Sequence, residues 1–439
     1  MDEPSRSGGL VRTVGSFGLA ASVINLIIGS SIFVFPAIVA GALGAPGMLA
    51  YVVAAGLMML IALCFVESGS RVTGAGGAYA YVETAFGPFA AWLVGLLIYL
   101  GLQLVATAVV GTVFIRSLSV LIPAVDEGLT RAILLVTVFG AFAMVNIRGG
   151  ARVGIRVVEL VTVAKLAPLA LLVVIGLFAY RPEFVRWDAI PPAADIGRMA
   201  MRLIYLFAGV EFALAVSGEL RDPARTVPRG VLGGLIAATV LYLGVQFAAQ
   251  GILGPALAAH DRAPLADAAG VVLGGTGRTI ILLGAVISTL GFLSAAMLIS
   301  PRTLFAMALA GRLPRVVASV HPRYGSPAVA IIVNTVLACG LAIVGDFNTL
   351  TALASSALLL IYFLCCAATL VIQRRRIGED GAPFRLVGGP LIPLAAMALL
   401  GALATTLVWR EIIAVGVLVG IAAVTYAVSP GTAVAARPD

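Results

Sequence analysis

Long apolar runs that are almost free of charged residues restrict what this chain can fold into. Of its 439 residues, 61% are hydrophobic and only 11% are charged, whereas a soluble domain carries about 25% charged residues. A run of about 20 apolar residues spans a bilayer as a helix, in which the backbone groups pair within the segment. The sequence therefore predicts an all-α polytopic protein that is integral to the lipid bilayer.

The apolar runs predict twelve transmembrane helices, which are separated by short polar loops. They lie near residues 14–40, 46–69, 86–118, 129–147, 155–179, 199–218, 230–253, 278–308, 327–345, 349–373, 390–409 and 411–428. We divide the chain into an N-terminal tail, two five-helix repeats, a final helix pair and a C-terminal tail, over residues 1–13, 14–179, 199–373, 390–428 and 429–439.

The distribution of arginine predicts the orientation of these helices. Segments on the side of the two termini hold eighteen arginines, and segments on the opposite side hold nine. Because cytoplasmic loops are enriched in basic residues, we expect both termini to be cytoplasmic and the protein to lie in the plasma (inner) membrane. The net charge of +8 follows this topology, so no nucleic-acid partner is expected.

Two predicted spans are interrupted at corresponding places. Span 1 contains Gly29, Ser30 and Ser31, and span 6 contains Gly209 followed closely by Glu211. Matched interruptions are typical of transporters that are built from inverted repeats. Five spans per block is an odd number, so the two blocks have opposite orientations. We therefore expect a five-plus-five inverted-repeat (LeuT-like) fold with broken helices 1 and 6.

Broken helices suit a zwitterionic solute. The N-terminus of a half-helix carries a partial positive charge that attracts a carboxylate, and freed carbonyls attract an ammonium group. An amino acid is therefore the predicted small-molecule substrate. Close helix packing is the alternative explanation for Gly29, Ser30 and Ser31. Tyr205 could close over a bound substrate, or it could simply pack in the core.

Two ionisable residues lie within predicted spans. Glu211 is an intramembrane carboxylate, which indicates either a functional role or a structural hydrogen bond. Lys165 is the only lysine in the chain, and the other 27 basic residues are arginine. A buried lysine can lose its proton, whereas arginine stays charged. Lys165 is therefore predicted to bind a proton or to replace a cation, although a structural or snorkelling role is the alternative.

Several other function classes lack their sequence signals. His260 and His321 fall in predicted loops, and the four cysteines lie in apolar runs without metal-ligand spacing, so we expect no metal, no cofactor and no enzyme activity. No nucleotide-binding loop or channel filter repeat is present. Spans 3, 8 and 10 carry mainly Leu, Ala, Ser and Thr with one glutamine, Gln103, which favours a neutral substrate. Carriers of polyamines, other organic cations or ions remain the alternatives.

Four stretches resemble the amino acid–polyamine–organocation (APC) superfamily of permeases. Residues 28–33 (IGSSIF) resemble the family's span 1 break, with Ser31 in place of a glycine. Residues 74–88 (GAGGAYAYVETAFGP) resemble the loop after span 2. Span 6 and its exit, from Phe207 through Glu219 and Asp222 to Arg229, and residues 302–314 after span 8 are also similar to family motifs.

The resemblance implies a central site between spans 1, 3, 6, 8 and 10. It implies that the backbone near Gly29 holds the substrate carboxylate, that the backbone near Phe207 holds the amine, and that Tyr205 is a gating aromatic. The predicted substrate-binding residues are Ile28, Gly29, Ser30, Ser31, Ile32, Tyr205, Phe207, Ala208 and Gly209. The predicted coupling residues are Lys165, Glu211, Ser288 and Thr289, and the predicted function is secondary active transport by alternating access, as either proton-coupled symport or amino-acid exchange.

Overall fold

The computed structural model describes residues 6–7, 10–11, 15–72, 77–149, 154–213, 223–379 and 383–428. Residues 74–76 of the loop motif, Glu219 and Asp222 of the span 6 motif, most of the N-terminal tail and the C-terminal tail lie outside these ranges. Within them the regular secondary structure is helical, apart from the two-residue antiparallel strands β1 (Arg6–Ser7) and β2 (Leu10–Val11).

Sixteen α-helices occur in the described ranges. They are α1 (Ser16–Ile27), α2 (Phe35–Leu43), α3 (Met48–Arg71), α4 (Ala78–Phe86), α5 (Pro88–Leu96), α6 (Val105–Ser119), α7 (Gly128–Gly149), α8 (Gly154–Ala179), α9 (Ala193–Ile204), α10 (Val210–Ala213), α11 (Pro223–Leu253), α12 (Pro264–Leu309), α13 (Ala328–Val344), α14 (Phe347–Arg374), α15 (Leu391–Ala404) and α16 (Trp409–Val428). A π-helical segment, Leu97–Leu104, joins α5 to α6, and Gly274 kinks α12.

Seven helical segments in the described ranges are long and apolar enough to cross a membrane. They are Ala45–Arg71, Pro88–Ser119, Gly128–Arg148, Arg225–Ala259, Pro264–Leu309, Phe347–Arg374 and Trp409–Val428. Four shorter apolar helices accompany them, at Ser16–Ile27, Lys165–Ala179, Ala328–Val344 and Leu391–Ala404. The prediction of an all-α polytopic membrane protein is therefore confirmed, and the count of twelve spans stays a prediction.

Helix α1 packs mainly against the long helix α11 and also contacts the short helix α10. Helix α11 lies against α1, α3 and α8, and α12 lies against α8 and α6. Most buried apolar side chains belong to one continuous cluster that reaches through these contacts. Large apolar side chains such as Val336 and Val424 are exposed on the outer helices, as expected for surfaces that face lipid. Helix α11 thus joins α1 to α3 and α8.

A buried ion pair ties α3 to the end of α14. The Arg71 guanidinium donates two hydrogen bonds to Glu67 Oε1, at 2.9 Å from Nε and 2.6 Å from Nη2. Gln373 Nε2 donates to the other carboxylate oxygen of Glu67 at 2.6 Å. Buried charges are tolerated when they are paired and hydrogen-bonded in this way, so the ends of α3 and α14 are fixed to each other.

Candidate functional site

The chain leaves helical geometry at the first predicted interruption. Helix α1 ends at Ile27, Ile28 has φ −76° and ψ 84°, and Gly29 is extended with φ −89° and ψ −165°. A 3₁₀ turn, Ser30–Phe33, then leads into α2. Pro36 lies in the first turn of α2, where its missing N–H has no helical partner to lose. The backbone of residues 28 and 29 is therefore outside any helix.

The second interruption has a similar form. Helix α9 ends at Ile204, and a 3₁₀ turn, Tyr205–Phe207, carries the chain to Ala208, which is extended with φ −60° and ψ 142°. Gly209 then adopts φ +139° before α10 begins at Val210. A side chain is strongly disfavoured at this positive φ, so the sharp change of direction requires glycine.

The two interruptions touch each other. A Cβ atom added to Gly209 would lie 2.8 Å from the carbonyl carbon of Leu26 and 2.9 Å from the amide nitrogen of Ile27. The fully buried Tyr242 of α11 reaches both interruptions, because its hydroxyl lies 2.7 Å from the Ile27 carbonyl oxygen and 2.9 Å from that of Leu206. Tyr242 is not among the site residues that the sequence predicts. No local pattern marks it, since its two partners are 215 and 36 residues away.

Glu211 stabilises the turn in the second interruption. Its Oε1 accepts a hydrogen bond of 3.0 Å from the Gly209 N–H, and its Oε2 accepts one of 3.0 Å from the Tyr362 hydroxyl on α14. The side chain is buried, and both carboxylate oxygens are hydrogen-bonded. These contacts match the structural alternative, and the coupling role of Glu211 stays a prediction.

Lys165 reaches across from α8 to the end of α1. Its Nζ donates a hydrogen bond of 2.7 Å to the Asn25 carbonyl oxygen, and only 5% of the residue is exposed. Carbonyls in the last turn of a helix lack helical partners and carry partial negative charge. The amine of Lys165 therefore occupies a position that favours a cation, at the point where helix 1 is interrupted.

A cavity of about 150 Å³ lies between the two interruptions, the π-helical segment and α12. It is lined by Asn25, Leu26, Ile27, Gly29, Ser30, Ser31, Leu102, Gln103, Ala106, Val110, Lys165, Tyr205, Leu206, Ala208, Gly209, Ser288, Gly291, Phe292, Ala295, Ala296, Ile299 and Ser300. Lys165 is the only lysine, arginine or acidic residue among these lining residues. The cavity therefore contains one basic group and no acidic side chain from the described part of the chain.

Eight of the predicted site residues line this cavity. They are Gly29, Ser30, Ser31, Lys165, Tyr205, Ala208, Gly209 and Ser288. The Ser31 and Tyr205 side chains interact with each other across the two interruptions.

The other five predicted site residues do not line the cavity. Ile28 and Ile32 are buried in the apolar core, and the Phe207 ring packs against Tyr242 at a centroid distance of 5.3 Å. Thr289 donates a hydrogen bond of 2.7 Å to the Val286 carbonyl within its own helix. It follows Ser288 by one position, which turns it about 100° around the helix. Glu211, the fifth of these residues, points to Gly209 and Tyr362 through the hydrogen bonds described above.

Gln103 is a lining residue outside the predicted site. It belongs to the π-helical segment, a local widening that occurs frequently at functional sites. Its Oε1 atom is buried and has no hydrogen-bond partner among the described residues. The Ser30 Oγ atom is also buried and also has no hydrogen-bond partner among the described residues. The sequence signal for Gln103 was its position as a lone glutamine in an apolar span.

Together these features define a class of protein. Irregular backbone within a helical membrane protein is tolerated where it lines a cavity, and paired helix interruptions around such a cavity are typical of secondary transporters. The family model for amino acid permeases matches residues 14–432, and the chain belongs to this family.

Characterised relatives cover most of the chain. It is 26% identical over 406 residues to the serine/threonine exchanger SteT of Bacillus subtilis (strain 168), with 90% of each chain covered. It is 27% identical over 411 residues to the branched-chain amino acid permease BcaP of Lactococcus lactis subsp. cremoris (strain MG1363), with 87% of this chain and 86% of the relative covered. It is also 26% identical over 406 residues to the methylthioribose transporter of Bacillus subtilis (strain 168), with 89% and 87% covered.

Proposed function

We propose that the protein is a secondary active transporter that carries a neutral amino acid across the plasma membrane by alternating access, through proton-coupled symport or amino-acid exchange. One observation carries this proposal: two helix interruptions meet around a cavity in a helical membrane protein, and a buried lysine contacts one of them. The names of SteT and BcaP support amino acids as the substrate class.

The proposed architecture has twelve transmembrane helices with cytoplasmic termini. Residues 14–179 and 199–373 form the two five-helix inverted repeats of a LeuT-like fold, and residues 390–428 form the last two helices. The placement of the interruptions supports this division, because each lies in the first helical segment of its repeat. The tails 1–13 and 429–439 complete the proposed division.

Backbone polarity at the interruptions supports opposite sites for the two charged ends of the substrate. The turn that begins at Ser30 directs the N-terminal end of a half-helix towards the cavity, and this end favours the substrate carboxylate. The turn Tyr205–Phe207 ends at Ala208, where carbonyl groups favour the substrate ammonium. In this proposal Tyr205 and Ser31 flank the bound molecule, and Ile28, Ile32, Phe207 and Gly209 shape the two interruptions.

The size and charge of the cavity favour a small neutral amino acid. An engineered cavity of about 150 Å³ holds benzene, a molecule with six heavy atoms, so a volume of about 150 Å³ suits an amino acid with a short side chain. A cationic substrate is disfavoured, because the lining contains Lys165 and no carboxylate from the described residues. Polyamine transport is therefore the weaker alternative.

Lys165 is the proposed coupling residue. When protonated, its amine holds the end of α1 through the Asn25 carbonyl. Loss of the proton removes the charge that favours this contact, so protonation can bias the position of the first interruption. Ser288 lines the same cavity and Thr289 follows it on α12, and we include both, with Glu211, in the proposed coupling region.

The test is uptake by the purified protein in liposomes. Labelled amino acids and methylthioribose are screened with and without a pH gradient, and with and without unlabelled amino acid inside. We expect saturable uptake of neutral amino acids that responds to the gradient or to internal substrate. Lys165→Ala is expected to remove the response to pH, and Lys165→Arg is expected to fix the site in its charged form.

Two results would contradict the proposal at different points. Absence of saturable amino-acid uptake by the wild-type protein would refute the transport function. Amino-acid uptake with the same pH dependence in the wild type and in Lys165→Ala would retain the transport function and exclude Lys165 from coupling.

A further inference from the structure

Four exposed arginines lie at the end of α14 and in the connector that follows it, residues 375–390. Arg374 is the last residue of α14, Arg375 and Arg376 come next, and Arg385 lies further along the connector. All four are exposed, and none has an ion-pair partner among the described residues. We call these four residues the arginine cluster. Guanidinium groups are good ligands for phosphate oxygens, so the cluster can bind an anion of this kind.

The end of α3 holds the connector at two places. Arg71 Nη1 donates a hydrogen bond of 3.3 Å to the Ile377 carbonyl oxygen, and Ser70 Oγ donates one of 3.5 Å to the Phe384 carbonyl oxygen. These two carbonyls belong to residues that are next to the arginine cluster in the sequence, and their donors are neighbours on α3. The two parts of the cluster therefore lie at the same end of α3.

The acidic groups of this region do not cancel the charge of the cluster. Residues 374–387 contain four arginines, one glutamate and one aspartate, which gives a net charge of +2. The glutamate, Glu379, lies 3.9 Å from Arg71 and so faces the buried ion pair of α3. The C-terminus of α14 adds a partial charge of about −0.5, which is smaller than this excess. The region therefore attracts anions.

Exposed apolar residues beside the cluster indicate that the anion belongs to a lipid. Val387 is 92% exposed, and Leu391, the first residue of α15, is 69% exposed. The connector joins two apolar helices, so it lies at the membrane surface, on the proposed cytoplasmic side. An anionic phospholipid has a negative headgroup for the arginines and acyl chains for the apolar residues, whereas a free phosphate matches only the arginines.

We propose that the arginine cluster binds the headgroups of anionic phospholipids. The inference goes beyond the proposed function, because this surface is separate from the cavity and requires no transported solute. Each basic residue next to an anionic membrane surface strengthens binding by about fivefold. Gln373 directly precedes the cluster and donates its hydrogen bond of 2.6 Å to Glu67 of α3. A headgroup bound here therefore stabilises the contact between the ends of α3 and α14.

The test measures lipid binding to the purified protein in detergent by native mass spectrometry. Phosphatidylglycerol and phosphatidylcholine with the same acyl chains are titrated separately, and only the first has a net negative charge. We expect the wild type to bind phosphatidylglycerol more tightly. More concentrated ammonium acetate should reduce this difference, because salt screens exposed charges. Equal binding of the two lipids by the wild type would overturn the inference, and this result requires no variant to fold.

A double variant tests whether the cluster is the binding surface. Arg375→Gln combined with Arg376→Gln should raise the phosphatidylglycerol concentration at half-occupancy by about tenfold or more, since each arginine contributes about fivefold. Arg186→Gln combined with Arg323→Gln is the control, because it makes the same change of charge at two exposed arginines outside the connector. We expect this control to bind like the wild type. Equal losses of affinity in the two double variants would show an effect of net charge alone and would overturn the inference.

Glycerol phosphate tests whether the lipid or its anion is recognised. It has the anionic group and no acyl chains, so we expect no competition when its concentration equals that of phosphatidylglycerol. Complete competition at equal concentration would identify a site for free phosphates and would overturn the lipid as partner. These measurements contain no amino acid. Failure of the wild type to take up amino acids would therefore refute the proposed function alone, and failure to prefer phosphatidylglycerol would refute this inference alone.

Discussion

Replacing Gly209 with alanine should separate the two helix interruptions. The added Cβ would lie 2.8 Å from the Leu26 carbonyl carbon and 2.9 Å from the Ile27 nitrogen, whereas carbon atoms pack best at about 3.5–4.0 Å. Both neighbours are backbone atoms, so no side chain can rotate away. The φ of +139° adds strain for any residue with a Cβ. We expect Gly209→Ala to lower the free energy of unfolding by about 1–3 kcal/mol from backbone strain alone.

The assay is thermal unfolding in detergent, followed by uptake in liposomes. Gly56→Ala is the control, because Gly56 lies within α3 and its added Cβ would meet nothing within 4 Å. This change should be neutral or stabilising. Gly29 also has room for a Cβ and has a negative φ of −89°, but it lines the cavity. Gly29→Ala should therefore preserve stability and reduce transport. A Gly209→Ala protein as stable and active as the wild type would refute the contact between the interruptions.

The remaining two predictions concern single side chains. Tyr242→Phe removes a hydroxyl that reaches two buried carbonyls, so we expect a loss of about 1–3 kcal/mol in unfolding free energy and lower uptake. Tyr51→Phe is its control, since the buried Tyr51 hydroxyl has no hydrogen-bond partner among the described residues. Equal effects of the two changes would contradict the hydrogen bonding of the Tyr242 hydroxyl to the two interruptions. Asp346 caps α14, and hydrogen bonds from the Thr349 hydroxyl and from nearby backbone N–H groups hold the pKa of its carboxyl below the usual value. The ionised cap contributes stability above the unfolded pKa of about 3.9 and loses it as pH falls through the lower folded pKa. Asp346→Ala should therefore lower the free energy of unfolding by about 1 kcal/mol at pH 7 and by progressively less below about pH 4. Unfolding of the wild type and the variant across this pH range measures the difference. A difference that does not change with pH would contradict the lowered pKa of Asp346.

The helix interruptions could be predicted because their cause is local. Gly29 and Gly209 lie at matching positions in the first span of each predicted repeat, and the structure has non-helical residues at both places. The chain departs from the helix at Ile28, slightly before the predicted residues. Lys165 could also be recognised, because a single lysine in an arginine-using chain stands out in the sequence.

The contacts that join the interruptions could not be predicted from local patterns. The buried Tyr242 resembles any aromatic residue in an apolar span, and its role depends on which carbonyls two distant segments leave unpaired. The π-helical turn that carries Gln103 is likewise invisible to helical periodicity, since its residues are ordinary helix formers. The family resemblance implies a shared role for Ser288 and Thr289, although neighbours on a helix point in different directions.

A structure determined with a bound neutral amino acid would show whether the two helix interruptions form the substrate site. We predict density for the ligand between the turn that begins at Ser30 and the turn that ends at Ala208, with its carboxylate at the first and its ammonium at the second. Helices 1 and 6 should both be interrupted there, with Gly209 against the end of α1. A ligand bound outside this cavity, or continuous helices with no space between them, would rule out a substrate site at the interruptions.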